Sequence, residues 1–299
     1  MNTQRRTVFV GLSLLFAAFA PWLPAQETID MSGKTALVTG STSGLGETVA
    51  RRLGAMGATV IVHGLNEARG IEIAAEITKT GPGRAVFYPG DLASLDQVER
   101  LAGRIRAEHA GLHLLVNNAG IIGQTRRESA DGHELVFAIN YLSHFHLTRE
   151  LLPVLGSGAP ARIVNVASGA QRAIDFNDVM MKDDWQSGSS YAQSKLAQIM
   201  FTLSLAETLD PRQITVNALH PATMMNTPMV TGMGRNPMSS VEDGANAVMQ
   251  LAVGSALAGR TGLYFNQMNE SRANPQAYDA GARKRLWDLS VELTEKRER

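Results

Sequence analysis

Cysteine, net charge and long apolar runs are what this sequence of 299 residues lacks. Without cysteine, disulfides, thiolate nucleophiles and cysteine-ligated metals are excluded. A formal net charge of zero gives no basic excess that would argue for a nucleic acid or an anionic membrane surface as partner. The seven histidines form no HExxH pattern, and His144 and His146 would diverge on a helix, which favours structural roles over a metal site. The 44% of hydrophobic residues is enough for the core of one large domain.

The most apolar stretch lies at the N-terminus and has the form of a targeting segment. Arg5 and Arg6 precede the apolar run Val8–Ala20, and small residues and prolines follow it. The run is short for a membrane span, and the arginine pair approximates a twin-arginine export signal, a route that carries folded proteins. We therefore predict that residues 1–28 form an export or anchor segment and that the protein is periplasmic or membrane-anchored on the export side. If translation starts at Met31, the protein is instead cytoplasmic.

After this segment, short β-branched runs alternate with amphipathic stretches. Strands are predicted at 35–38, 59–62, 85–88, 112–116, 162–167 and 214–219, and helices at 47–56, 66–79, 95–108, 132–155 and 191–209. This alternation predicts a single α/β domain of the Rossmann type, with a doubly wound parallel sheet and helices on both faces. Such sheets bind ligands at the carboxyl ends of their strands, where Gly40, Asp91, Asn118, Ser168 and Pro221 fall.

Two turns at these strand ends are suited to a nucleotide. The turn Thr39–Gly46 joins a predicted strand to a helix, so its glycines allow a close approach to a pyrophosphate at a helix N-terminus. Its spacing is GxxxGxG rather than GxGxxG, and its place between strand and helix favours a binding role. The turn Asn117–Gly120 after the fourth strand is small and polar. The candidate contacts are Gly40, Ser41, Ser43, Gly44, Leu45 and Gly46 in the first turn and Asn118, Ala119 and Gly120 in the second.

A tyrosine and a lysine four residues apart suggest proton transfer. On a helix, Tyr191 and Lys195 project to the same side. A nearby ammonium favours the phenolate and lowers the tyrosine pKa from its usual value of about 10. The phenol could then give or take a proton at an alcohol or carbonyl oxygen. A bare YxxxK is more often an ordinary pair on an amphipathic helix, so other residues must decide.

Several motifs occurring together resemble the short-chain dehydrogenase/reductase family. They are Thr39-Gly40-x3-Gly44-x-Gly46, Asn117-Asn118-Ala119-Gly120, Asn140, Ser168 and Tyr191-x3-Lys195. Residues 131–134, 140–145, 194–197 and 286–290 are most similar to its retinol-dehydrogenase-like branch. The resemblance implies a catalytic domain over residues 29–299 that transfers a hydride between NAD(P)(H) and an alcohol or carbonyl.

The resemblance also implies the catalytic roles. Tyr191 would be the general acid in reduction and the base in oxidation, and Lys195 would lower its pKa and bind the nicotinamide ribose. Ser168 would hold the substrate oxygen by a hydrogen bond. Asn140 would position a water that continues a proton relay through Lys195.

The choice between NAD and NADP depends on the end of the second predicted strand. An acid there binds the ribose diol of NAD, whereas an arginine favours NADP, and the residues 63–66 contain neither. Because no acid repels a 2′-phosphate, Ser41, Asn66 and Arg69 could hold it. We therefore predict NADP in preference to NAD.

The remaining cofactor contacts follow from the resemblance. Asp91 and Leu92 would flank the adenine, and Pro221 and Thr223 would cover the nicotinamide amide. Ala222 stands where the family often has glycine.

Methionines concentrate in the two segments where substrate contacts are expected. Methionine fits irregular apolar shapes, so the cluster predicts a hydrophobic substrate, although packing of a lid against the body explains it equally well. These residues are Met180, Met181, Met224, Met225, Met229, Met233 and Met238.

Two further matters stay open at the level of sequence. The family often dimerises through the helices that bear Asn140 and Tyr191, so a homodimer is an option. A non-catalytic NAD(P)-binding sensor or scaffold on the same fold is the alternative function. The intact set of Ser168, Tyr191 and Lys195 favours the enzyme, because a pure binder would need none of them.

Overall fold

The computed structural model describes residues 29–295, and the predicted segment 1–28 lies outside the described residues. The strands are β1 (Thr35–Val38), β2 (Thr59–Gly64), β3 (Arg84–Pro89), β4 (Leu114–Asn117), β5 (Ala161–Val166), β6 (Ile214–His220), β7 (Tyr264–Asn266) and β8 (Asn269–Ser271). The helices are α1 (Gly44–Ala55), α2 (Glu67–Thr80), α3 (Leu95–Glu108), α4 (Leu135–Phe137), α5 (Ser143–Ser157), α6 (Ser187–Ala206), α7 (Pro228–Thr231), α8 (Val241–Val253) and α9 (Ala280–Glu295). Short 3₁₀ turns lie at Ser255–Leu257 and Pro275–Tyr278.

The strands form one sheet in the order β3-β2-β1-β4-β5-β6-β7-β8. All neighbours pair in parallel except β7 and β8, which are antiparallel. Val38 at the end of β1 aligns with Val62 on one side and Val116 on the other, so the carboxyl ends of three central strands lie level. The strand order reverses between β1 and β4, which is where sheets of this kind bind ligands. The predicted doubly wound α/β fold is confirmed.

The sheet is covered on both faces by helices. Ala36 and Val38 belong to an apolar cluster shared with α1, α2 and α8, whereas Leu37 belongs to one shared with α3, α5, α6 and α9. Successive side chains of a strand point to opposite faces, so a strand buried on both sides is apolar at every position. This explains why the predicted strands appeared in the sequence as short continuous apolar runs.

The predicted helix 132–155 is wrong in its first half. The chain forms the single-turn α4, then a π-helical turn at Ala138–Leu142, and only then the regular helix α5. Single π turns inside helices occur frequently at functional sites, and Asn140 lies within this one.

Between residues 29 and 295, none of the helices has both the length and the apolar character that crossing a bilayer requires.

Candidate active site

A cleft of about 1050 Å³ opens at the carboxyl edge of the sheet. It is bounded by the turn after β1, the ends of β2 to β6 and the segment that contains α7. The sequence-predicted residues that line it are Gly40, Ser43, Gly44, Leu45, Gly46, Asp91, Leu92, Asn118, Ala119, Gly120, Ser168, Tyr191, Lys195, Pro221 and Thr223.

The turn after β1 can exist only with glycine at its key positions. Gly40 has a φ of +63°, and a Cβ there would lie 2.8 Å from the Cα of Ala119. A Cβ at Gly46 would lie 2.4 Å from the Gly40 carbonyl oxygen. Within the described part of the chain, Ser43 gives α1 no side-chain cap, so the first N–H groups of this helix remain available. A glycine turn that ends in an uncapped helix N-terminus is suited to an anion such as a pyrophosphate.

The turn after β4 is tied directly to this glycine turn. The Asn118 amide donates to the carbonyl oxygens of Thr39 at 2.9 Å and Gly40 at 3.2 Å. In return, the Thr39 hydroxyl oxygen accepts from the N–H groups of Asn118 at 2.9 Å and Ala119 at 3.0 Å. These four contacts fix the two turns relative to each other, so they form one wall of the cleft.

Ser168, Tyr191 and Lys195 line the same cleft, with the serine two residues after the end of β5 and the other two on α6. Burial raises the pKa of Tyr191, and a hydrogen bond with Ser168 lowers it in part. The sequence predicted that Lys195 lowers this pKa toward neutrality, but in the described site burial dominates and the pKa lies above its ordinary value. The Lys195 ammonium points elsewhere: it donates to the Val166 carbonyl oxygen and to Gln198 Oε1, both at 2.8 Å. Its nitrogen lies 5.7 Å from the centroid of the Tyr191 ring.

Lys195 is itself strongly affected by its surroundings. Its side chain is almost fully buried, and this burial lowers its pKa to about 7. Near neutral pH the amine is therefore protonated only about half of the time. A half-charged amine stabilises a phenolate less than a full charge would.

Asn140 lies one layer behind the cleft wall. Its Oδ1 accepts from the Ile121 N–H at 2.8 Å, and its amide donates to the Ile121 carbonyl oxygen at 3.1 Å and to Ser194 Oγ at 3.0 Å. A Cβ on Gly120 would lie 3.3 Å from Asn140 Oδ1 and 3.4 Å from Lys195 Nζ. The structure therefore brings Asn140 and Lys195 together behind the same glycine.

The three residues predicted to hold a 2′-phosphate are not brought to the cleft. The Ser41 hydroxyl donates to the Val38 carbonyl oxygen at 2.7 Å, and the Asn66 side chain caps α2. Arg69 forms ion pairs with Glu47 and Glu72 at 2.5 and 2.6 Å. The wall near the end of β2 is formed instead by Thr42, His63, Gly64 and Leu65.

Several residues of the cleft were not predicted from the sequence, among them Thr227 and His63. Thr227 lines it beside the glycine turn, where a Cβ on Gly44 would lie 3.2 Å from its Cγ2. His63 is buried with a pKa lowered to about 4, so its ring is neutral, and its Nε2 has no hydrogen-bond partner among residues 29–295. Thr227 lies six residues after Pro221 in the same loop, and His63 lies at the end of β2, within the residues 63–66 that were considered only for an acid or an arginine.

The predicted methionine cluster divides into two groups. Met224, Met225, Met229 and Met233 line the cleft. The others do not: Met180 and Met181 accept hydrogen bonds from Arg126 through their carbonyl oxygens, and Met238 is largely exposed. Four of the seven methionines thus lie where substrate contacts were predicted, and the other three do not.

Comparison with known proteins gives consistent results. Residues 34–237 match the family described as short chain dehydrogenase. The chain is 34% identical over 290 residues to retinol dehydrogenase 14 of Mus musculus, covering 87% of this chain and 85% of that protein. It is 35% identical over 294 residues to polyprenol dehydrogenase of Mus musculus, covering 92% of this chain and 86% of that protein. The Pseudomonas aeruginosa RhlG/NADP active-site complex superposes with a TM-score of 0.66 and 27% identity, covering 79% of this chain and 95% of that chain.

Proposed function

The chain belongs to the short-chain dehydrogenase family, in its retinol-dehydrogenase-like branch, and we propose that it moves a hydride between NADP(H) and an apolar alcohol or carbonyl compound, with Tyr191 as general acid and base. Membership of the family makes it an NAD(P)-dependent oxidoreductase. The observation that carries the finer proposal is that Ser168, Tyr191 and Lys195 line the same cleft as the glycine turn.

The residues of the cleft fit a nicotinamide dinucleotide. The glycine turn and the uncapped N-terminus of α1 would hold its pyrophosphate, and Lys195 would bind its nicotinamide ribose. When bound, this cofactor supplies the hydride for reduction or accepts it in oxidation. In reduction, Tyr191 donates its phenolic proton to the substrate oxygen while the Ser168 hydroxyl donates a hydrogen bond to the same atom. In oxidation, the Tyr191 oxygen takes the alcohol proton back.

Two further observations support the details of substrate and cofactor. Four methionines on the cleft wall favour an apolar substrate, and two relatives are named for alcohols, retinol and polyprenol. Leu65 stands where an acid would disfavour a 2′-phosphate, and the RhlG complex was obtained with NADP. Residues 1–28 are proposed to export or anchor a catalytic domain formed by residues 29–299.

The replacement Tyr191→Phe tests the proposal, because it removes a single oxygen atom. With a panel of hydrophobic aldehydes and ketones, NADPH oxidation should fall in kcat by a factor of ~10²–10⁴, the usual contribution of a general acid, while nucleotide binding persists. Tyr88→Phe is the matched control, since that hydroxyl bonds to Glu108 at 2.6 Å, outside the cleft, and its loss should leave kcat unchanged.

Two results would contradict the proposal. A Tyr191→Phe protein that kept more than about a tenth of the wild-type kcat would remove the general-acid role. A wild-type protein that bound nucleotide but reduced none of the panel would favour the sensor or scaffold.

A further inference from the structure

Behind Lys195 runs a chain of buried polar side chains that the proposed chemistry does not use. Lys195 Nζ donates to Gln198 Oε1 at 2.8 Å. The amide nitrogen of Gln198 lies 3.2 Å from His144 Nδ1, and His144 Nε2 lies 3.2 Å from the Thr39 hydroxyl. All four residues are between 0% and 3% exposed, so water does not compete for these contacts.

The far end of this chain is the wall of the cleft itself. The Thr39 hydroxyl oxygen accepts from the N–H groups of Asn118 and Ala119, which belong to the turn after β4. This series of buried side chains therefore starts at the ammonium on α6, passes through His144 on α5 and ends at the two turns proposed to hold the nucleotide. It connects two walls of one cleft through the interior of the domain.

His144 is a neutral link in this chain. Burial lowers its pKa to about 3, and the nearby Lys195 charge acts in the same direction. A neutral imidazole places no second positive charge behind the ammonium. Its Nδ1 lies 3.2 Å from the Gln198 amide nitrogen and 3.1 Å from the Asn140 carbonyl oxygen, and in the tautomer protonated at Nε2 it accepts from Gln198. The titratable side chains that face Lys195 are thus Tyr191 on α6 and His144 on α5, and only the amine itself titrates near neutrality.

We propose that Gln198 is a positioning residue for Lys195 and that His144 acts through it by holding the Gln198 amide in place. The ammonium has three N–H donors, of which Val166 and Gln198 take two, which leaves the third for the cleft. Without the Gln198 oxygen, the buried cation would keep a single acceptor and would be free to turn. The inference depends on the proposed function only for its effect on turnover.

The pKa of the Lys195 amine gives a readout that needs no substrate. Competitive acetylation, followed residue by residue by mass spectrometry, reports this pKa in the intact protein. Gln198→Met keeps the length of the side chain but removes the acceptor, so the pKa should fall by about one unit. Gln198→Glu keeps an acceptor and adds a negative charge, so the pKa should rise by about one unit or more.

Gln193→Met is the matched control. Gln193 lies on the same helix, is equally buried, and donates to the Val179 carbonyl oxygen at 2.8 Å rather than contacting Lys195. This variant should lose a comparable amount of thermal stability and leave the Lys195 pKa unchanged. If both Gln198 variants titrate like wild type, the proposal is overturned, whether or not the protein turns over any carbonyl.

The role of His144 is tested by non-additivity. His144→Leu should lower the Lys195 pKa in the same direction as Gln198→Met, and the double variant should lower it no further than Gln198→Met alone. Additive shifts would show that His144 does not act through Gln198.

In turnover, Gln198→Met should reduce kcat for alcohol oxidation about tenfold and move its pH profile upward, because a less charged Lys195 stabilises the Tyr191 phenolate less. A shifted amine pKa with an unchanged pH profile would overturn the positioning role. Absence of turnover in the wild type would instead count against the proposed function.

Discussion

Burial pushes Tyr191 and Lys195, two titratable side chains of the cleft, toward their neutral forms. It raises the pKa of Tyr191 and lowers the pKa of Lys195 to about 7. Tyr191 therefore keeps its proton at neutral pH, and this is the form that a general acid for carbonyl reduction requires. Alcohol oxidation needs the phenolate, which forms only as the pH rises through the raised pKa.

The first prediction is a pH dependence of opposite sign for the two directions. For alcohol oxidation kcat should increase as the pH rises through the Tyr191 pKa, which lies above its ordinary value of about 10, and for carbonyl reduction it should decrease over the same range. Ser168→Ala removes the hydrogen bond that lowers the Tyr191 pKa, so the midpoint of the oxidation profile should move to higher pH and kcat should fall. Steady-state kcat measured across pH in both directions checks this.

Ser190→Ala is the control for that experiment. Ser190 is buried next to Tyr191 in sequence, and its hydroxyl has no hydrogen-bond partner within residues 29–295. Removing the Ser190 hydroxyl should leave the midpoint of the pH profile for alcohol oxidation unchanged. An unmoved midpoint in Ser168→Ala would show that this serine does not tune the tyrosine.

The second prediction concerns the nucleotide. Leu65 lines the cleft and is 73% exposed, so Leu65→Asp requires no repacking. The new carboxylate should repel a 2′-phosphate and accept a hydrogen bond from a ribose hydroxyl, which reverses a preference for NADPH. A single charge contact of ~1.4 kcal/mol changes each dissociation constant roughly tenfold. Fluorescence titration with NADPH and NADH gives both constants.

Leu65→Asn separates charge from shape in this test. It matches aspartate in size but is neutral, so it should keep the preference for NADPH. If the wild-type protein prefers NADH, the absence of an acid at the end of β2 does not indicate a preference for NADP.

At the scale of elements, a buried carboxylate joins α4 to the segment that leads into α6. Glu134 is 2% exposed, and its two oxygens accept from the Phe137 N–H at 2.8 Å and from the Trp185 indole N–H at 3.0 Å. Trp185 immediately precedes the helix that carries Tyr191 and Lys195. Glu134 thus caps one helix and holds the entry to another.

The third prediction is that Glu134→Ala destabilises the fold and loosens the cleft. Two N–H groups would lose their acceptor, so the free energy of unfolding should fall by about 1–3 kcal/mol, and KM should rise more than kcat falls. Urea unfolding followed by steady-state kinetics measures both. Glu128→Ala, which removes an exposed ion pair with Arg126, should change stability by less than about 0.5 kcal/mol. Equal effects of the two variants would contradict the role given to Glu134.

The elements that sequence predicts well are those whose pattern is local. The helix predicted at 95–108 has the same bounds as α3, because its apolar positions follow the helical period without interruption. The π turn was not predicted, because it depends on distant partners. Asn140 bonds to Ile121, and the Tyr141 hydroxyl lies 2.7 Å from Ser290. The three-residue strands β7 and β8 are too short to show any periodicity.

In the candidate site, too, features set by the local sequence could be predicted and features set by distant partners could not. Residues fixed by the backbone of a strand end, such as Gly40 and Ser168, could be placed from the sequence because the fold determines where strand ends lie. The direction in which a side chain points could not be predicted from the sequence. Ser41 turns inward to bond Val38, and Arg69 on α2 turns toward Glu47 on α1. Residue type and proximity were therefore insufficient to predict a phosphate contact.

At the scale of the whole molecule, the C-terminal helix closes the core that contains the site. Trp287 on α9 packs against Phe145 of α5 and Phe201 of α6, with ring centroids 5.2 and 6.0 Å apart. The helix α9 thus packs against the helix that follows Asn140 and against the helix that carries Tyr191 and Lys195.

The first strand of the described residues lies inside the sheet, with a neighbouring strand on each side. β1 starts at Thr35 and lies in the middle of the sheet, paired with β2 on one side and β4 on the other. A strand with both neighbours in place has no free edge to which a preceding segment could add. The catalytic fold is therefore expected to form without residues 1–28.

The last prediction tests both the independence of this domain and the export proposed for the segment before it. A protein consisting of residues 29–299 should unfold at the same urea concentration as the full-length chain and oxidise NADPH with the same kcat. In cells, the full-length protein should be found in the periplasmic or membrane fraction. Replacing Arg5→Lys and Arg6→Lys should retain it in the cytoplasm, because a twin-arginine signal depends on that pair. Cytoplasmic products of unchanged size from both genes would show that the segment directs no export, and a lower unfolding midpoint for residues 29–299 would show that it supports the fold.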